Sequence, residues 1–194
     1  MRVTRFGMPF AFMSAVLMLM CVLPSRALAQ SEHAHMQAAA DRSNGTALVN
    51  VVRESTERFK DVAVAVAEGY GSQFGCVTGD YGGAMGMHFV NFPLVFDNEL
   101  DPTKPEIVIY EPMPNGQLRL IGADYLVLAD AWNAKKVGPP QIMGQLMHLF
   151  ESPNRFGLPA FYTLHVWAWK KNPTGSFVNW HSNVSCDAFG GPGY

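Results

Sequence analysis

The most regular apolar pattern in the chain lies between Asn44 and Gly69. Leu48, Val51, Val52, Ser55, Phe59, Val62, Ala63 and Val66 recur at steps of three and four, while Arg53, Glu54, Glu57, Arg58, Lys60 and Asp61 fill the opposite side. That spacing predicts an amphipathic helix, capped by Asn44 or Thr46 and stopped by Gly69, with its apolar stripe laid on a sheet or another helix. Further along the chain, the runs 87–91, 106–111 (EIVIYE) and 117–128 (QLRLIGADYLVL) read as strands. The last two flank Met113-Pro114-Asn115-Gly116, a hairpin loop containing Asn-Gly. The run 161–170 (FYTLHVWAWK) has few polar positions on either face, as expected of a central strand covered on both sides. One helix followed by several strands predicts an α+β fold, with a long N-terminal helix packed on a mostly antiparallel β-sheet.

The remaining segments break these periods. Seven glycines fall within residues 69–86 around Cys76, which predicts an irregular, turn-rich loop. No Gly-Lys-Ser/Thr follows and no strand precedes, so this is neither a phosphate loop nor a dinucleotide fingerprint. Pro139, Pro140, Pro153 and Pro159 make residues 130–159 loops, with a short helix near Gln141 to Phe150. The tail from Asn172 is turn-rich.

The first 29 residues change the compartment. Arg2 and Arg5 precede an apolar run from Phe6 to Leu23, which Pro24, Ser25 and Arg26 break before Ala27-Leu28-Ala29. This is the pattern of a cleaved signal peptide, 1–29. The apolar run of 18 residues sits at the short edge for a membrane span, and no later segment offers another. Residues 30–43 are expected as a flexible N-terminal arm and 44–194 as a single α+β domain. Cleavage takes three of the 14 Lys/Arg and none of the 16 Asp/Glu, leaving 165 residues with a net charge of −5. Such a balance excludes a nucleic-acid binder that works by phosphate neutralisation. After cleavage no integral membrane segment is expected either. Of the three cysteines only Cys76 and Cys186 then remain, and without a CxxC spacing they read as a disulfide in an oxidising, exported location, periplasmic or extracellular. Its loop of about 110 residues corresponds to roughly 4–5 kcal/mol of chain entropy.

Candidate chemistry centres on imidazoles and one carboxylate. His88 opens the first strand, and His165 sits mid-strand among apolar residues, on the face of Thr163 and Trp167. A histidine so placed is neutral or paired; its bland role is to bond a backbone carbonyl inside the core. Glu111 shares the face of Ile107 and Ile109. With Pro112 opposite Gln117, it would meet Leu118, so its carboxylate needs a cation, a metal or a donor. His88, Glu111 and His165, with His148 as a fourth contributor, are the minimal set for a divalent metal, Zn, Fe or Cu. Otherwise Glu111 pairs with Arg119 or Lys170 near a strand end, and His148 is an exposed loop residue. His33-Ala34-His35 near the mature terminus is a weaker Cu or Ni candidate. Trp167, Trp169, Trp180, Phe156, Phe161, Phe177 and Tyr162 crowd the C-terminal third, as core or as the walls of an aromatic pocket.

Gly83-Ala84-Met85-Gly86-Met87-His88, Tyr110-Glu111-Pro112, Leu120-Ile121-Gly122-Ala123-Asp124-Tyr125 and the segment from Leu164 to Gly175 (LHVWAWKKNPTG) together resemble a group of exported, uncharacterised bacterial proteins, over about Cys76 to Cys186. The resemblance implies an exported single domain and brings no activity with it. The order His–strand–IYEP–RLIGADY–LHVW is also similar to the oil-body-associated protein family, where the same order occurs around histidines. That implies one site containing His88 and His165. The function expected is an exported domain with a His/Glu-lined pocket for a metal ion or small polar ligand. The alternatives are a non-catalytic ligand-binding module using its aromatic C-terminal surface, and a purely structural exported domain.

Overall fold

In the computed structural model, which describes residues 25–79 and 82–191, six strands form one antiparallel sheet. In chain order the elements are α1 (Ser25–Thr56), α2 (Val62–Ala67), β1 (Gly71–Thr78), β2 (Ala84–Val90), α3 (Phe92–Asp97), β3 (Ile107–Pro112) and β4 (Leu118–Leu128). They continue with α4 (Ala129–Asn133), β5 (Gln141–Ile142), β6 (Gln145–Leu146), β7 (His148–Phe150) and β8 (Phe161–Val166). The sheet order is β1-β2-β3-β4-β8-β7, and β5 and β6 pair separately. The fold is α+β and mostly sheet. Most of the expected leader falls on residues 1–24, outside the described ones. Among the described residues no helix is long and apolar enough to cross a membrane.

The expected long helix is corrected in two ways. The backbone leaves α-helix at Thr56, passes through a 3-10 turn (Glu57–Lys60) and re-enters helix at Val62, where Asp61 accepts the Ala63 N–H at 3.0 Å as an N-cap. Gly69, at φ 96°, then ends α2 as expected. At the other end α1 begins at Ser25, so residues 30–43, expected as a flexible arm, are helical, with Ala34 to Gln37 exposed. Ser25 to Ala38 belong to one compact unit and the body runs from Ala39. Within the body, α1 presents Leu48, Val52 and Thr56 to the sheet, a much shorter packed stripe than 44–69. Leu48 and Val52 lie fully buried against Ala123, Tyr125, Val127, Leu164 and Val166, worth about 1.5–3 kcal/mol per side chain. Phe59, Ala65 and Tyr70 extend the cover over Phe89, Val108 and Tyr110, and the Tyr110 hydroxyl donates to the Phe59 carbonyl at 2.7 Å.

Two further segments differ from expectation. The glycine-rich loop holds an edge strand, β1, which pairs with β2 through a bulge between Gln73 and Cys76. In place of a short helix near 141–150 stand the small strands β5, β6 and β7. β8 stops at Val166 rather than Lys170, because the Trp167 N–H turns to the Ser176 carbonyl and the Trp169 N–H to the Ile121 carbonyl. As expected, β8 is an inner strand, between β4 and β7. The sheet face opposite the helices carries Val90, Ile107, Ile109, Leu126 and Phe161, covered by the 151–160 loop and by Val178 and Val184 of the tail. The tail is tied down by the Cys76–Cys186 disulfide, whose Cα atoms are 5.7 Å apart, as the cysteine count predicts.

Candidate metal centre

On the sheet face away from the helices, four buried polar side chains gather among apolar ones. Strand alternation and register place His88 on β2 opposite Ile109, and Asp124 on β4 opposite both Ile107 and His165 on β8. Thr163 is two residues from His165 on the same face. His88, Asp124, Thr163 and His165 are all 5% exposed or less. The two imidazoles meet edge to face, with Nε2 to Nε2 at 3.3 Å. Asp124 Oδ2 lies 3.6 Å from His165 Nδ1, and Asp124 Oδ1 accepts the Thr163 hydroxyl at 2.5 Å.

Glycines make this convergence sterically feasible. A Cβ on Gly122 would lie 2.6 Å from the Val166 carbonyl oxygen, so β4 and β8 approach closely just ahead of Asp124. Gly86, two residues before His88, has φ 93°, and a Cβ there would lie 2.6 Å from the Tyr110 carbonyl oxygen. β4 also bulges against β3, with Tyr110 opposite Leu120 but Ile109 opposite Gly122. The extra residue, Ile121, shifts the alternation of β4 so that Asp124 joins the face of Ile107.

Burial sets the protonation states. Desolvation lowers the His88 pKa to about 4, helped by the neighbouring His165 and only partly offset by Asp124. Desolvation likewise lowers His165 to about 3, with a further push from His148. The Asp124 carboxyl is raised to about 6 by burial, against the hydrogen bond from Thr163. At neutral pH the group therefore holds two neutral imidazoles and one carboxylate, the forms in which these side chains bind metal ions. His88 Nδ1 and His165 Nδ1 are buried without a normal hydrogen-bond partner. Ligand atoms of His88, Asp124 and His165 all fall within 4.8 Å of one another, so the three side chains could hold a metal.

Of the residues singled out in the sequence, His88 and His165 are thus brought together, whereas Glu111 lies outside the group. Its register differs by one from the expected pairing: Glu111 stands opposite Arg119, not Leu118. There the carboxylate accepts from Lys170 Nζ at 2.7 Å, from Arg119, and from the Ser185 N–H at 3.3 Å. Burial pushes its pKa up, but the Lys170 and Arg119 hydrogen bonds outweigh that and hold it below the usual range. Glu111 is an ion-pair anchor for the tail, and Asp124 takes the acidic place in the candidate centre. His148 lies exposed on β7, opposite Thr163; it is not one of the three grouped side chains, though its charge acts on both Asp124 and His165. The side chain of His33 is outside the described ones, and His35 is exposed.

A cavity of about 30 Å³ adjoins the group. Its polar lining is confined to His88, Asp124, Thr163 and His165; the rest is Phe74, Met85, Ile107, Leu126, Phe150, Phe156, Leu158 and Phe161. Two of the C-terminal aromatics, Phe156 and Phe161, thus wall this cavity, while Trp167 packs in the core and Trp180 is 36% exposed. Asp124, to which periodicity and charge assign no metal role, is the acidic member of the group. It is the lone carboxylate inside the apolar stretch Leu120–Leu128, the same kind of signal that singles out His165. Comparison with family models, with curated proteins and with solved structures gave no match.

Proposed function

We propose that His88, Asp124 and His165 form a mononuclear divalent metal centre, tetrahedral and of zinc type, in an exported domain. The carrying observation is the 3.3 Å separation of the two Nε2 atoms. Imidazole nitrogens about 2.05 Å from one ion and 3.3 Å apart subtend about 107° at it, close to the tetrahedral angle of zinc sites. An octahedral ion with slightly longer bonds would bring them nearer to about 3.0 Å. Asp124 would supply the third ligand, and the adjoining cavity would leave room for an exchangeable fourth, as in zinc sites of that kind. Two neutral imidazoles and a carboxylate buried together also need little proton release on binding an ion.

The export half of the reading is supported by the signal-type pattern over residues 1–29 and by the disulfide between Cys76 and Cys186. The resemblance to exported bacterial proteins, and to a family with histidines in the same order, agrees with it. Elemental analysis of the purified full chain tests the metal assignment. About one equivalent of zinc is expected, and it is lost in both His88→Ala and His165→Ala while the disulfide and the far-ultraviolet circular dichroism persist. Retention of metal by either variant contradicts a shared centre.

A further inference from the structure

The cavity fixes what the fourth position accepts. A divalent ion with one carboxylate and two neutral imidazoles keeps one uncompensated positive charge, and the cavity lining offers no other ionised group. Between largely apolar walls that residual charge favours a monoanionic ligand over a neutral one of the same shape. About 30 Å³ leaves room for only a few non-hydrogen atoms, against about 10–15 Å³ for one water.

Phe74 sets that limit. Along β1 the register runs from Gln73 opposite His88 to Cys76 opposite Met87, so Phe74 and Gly75 are extruded from the ladder beside the His88 position. Both adopt left-handed backbone, φ 64° for Phe74 and 59° for Gly75. Phenylalanine is strained in that conformation, and here it places the ring in the cavity wall, 5.4 Å from the ring of Phe156. The next residue, Cys76, is held by the disulfide to Cys186. We propose that the centre binds a small monoanion at its open metal position and that Phe74 is the residue limiting the size of that ligand. This rests on the metal reading above.

The test uses the full chain loaded with Co²⁺, whose visible bands report on its ligands. Formate and azide are expected to shift those bands saturably, whereas formamide, the neutral counterpart of formate, leaves them unchanged. Benzoate is expected to be excluded from the wild type and to bind Phe74→Gly at least about tenfold more tightly, since a substantial change of pocket size is worth that much. Glycine suits the left-handed backbone, so this variant relieves strain as it removes the ring; Phe156→Ala opens the same wall from the other side. A formamide response equal to that of formate overturns the anion assignment. Equal benzoate binding by wild type and Phe74→Gly overturns the role of Phe74, whatever Phe156→Ala does. Absence of Co²⁺ binding overturns the metal reading, and this proposal with it.

Discussion

His88 and His165 touch through their Nε2 atoms although their strands, β2 and β8, are not neighbours. Two strands, β3 and β4, lie between them, and in a flat sheet the separation would be roughly 14 Å. The contact therefore requires a sheet curled toward this face, to which the bulge in β4 and the close approach at Gly122 contribute. The curl leaves the candidate ligands on the inside of the curve, away from the helices and from water.

Asp124→Asn separates the roles of the carboxylate in the metal-free and metal-loaded states. In the metal-free protein its raised pKa means that folding opposes ionisation: the penalty is absent below about pH 3.8 and complete above about pH 6. Denaturant unfolding in a chelator at pH 7 should thus find Asp124→Asn at least as stable as the wild type. Metal titration should find its affinity reduced by about 100-fold or more, beyond the 10–100-fold typical of losing an outer-shell partner.

Glu111→Ala should give the reverse outcome. It removes the acceptor of Lys170, Arg119 and the Ser185 N–H, and leaves a half-buried lysine unpaired. A loss of about 1–3 kcal/mol of unfolding free energy is expected, after allowance for the partial exposure of both cations. Metal content should remain at one equivalent. Loss of metal in this variant would return Glu111 to the centre.

A second buried carboxyl governs alkaline stability. Glu106 is 1% exposed and accepts the Leu126 N–H at 3.0 Å, and burial raises its pKa to about 8. Between the unfolded value of about 4.5 and pH 8, the folded state keeps a proton that the unfolded chain has released. Stability should fall as pH rises through this window, by as much as ~1.4 kcal/mol per pH unit. The interval from about pH 7.5 to 8.5 isolates the effect, because the histidines titrate near 6.5 when unfolded and lower when folded, and Asp124 changes charge by about pH 6. Urea denaturation across that interval should show a decline in the wild type and a flat profile in Glu106→Gln.

Much of this arrangement was legible in the sequence, and the remainder failed for local reasons. Alternation identified β3, β4 and β8 and put His165 on the face of Thr163, and the cysteine count gave the disulfide. The hairpin register was misread by one residue. The loop takes five residues, Met113 to Gln117, rather than the four expected, and a shift of one exchanges the partners of every side chain. That slip placed Glu111 against apolar Leu118 and hid its pairing with Arg119. The bulge at Ile121 also obscured which face Asp124 would join. The long helix was over-extended because Phe59 and Val62 continue the apolar stripe through a 3-10 turn, whose period of three resembles the α-helical one. β1 was missed because its glycines serve a bulge and tight turns within a strand.

X-ray absorption at the zinc edge of the loaded protein examines the central claim most directly. Two imidazole nitrogens at about 2.0–2.1 Å and oxygen ligands at about 2.0–2.2 Å, four in all, are the predicted shell. A six-oxygen shell, or a single imidazole, would contradict a centre shared by His88 and His165.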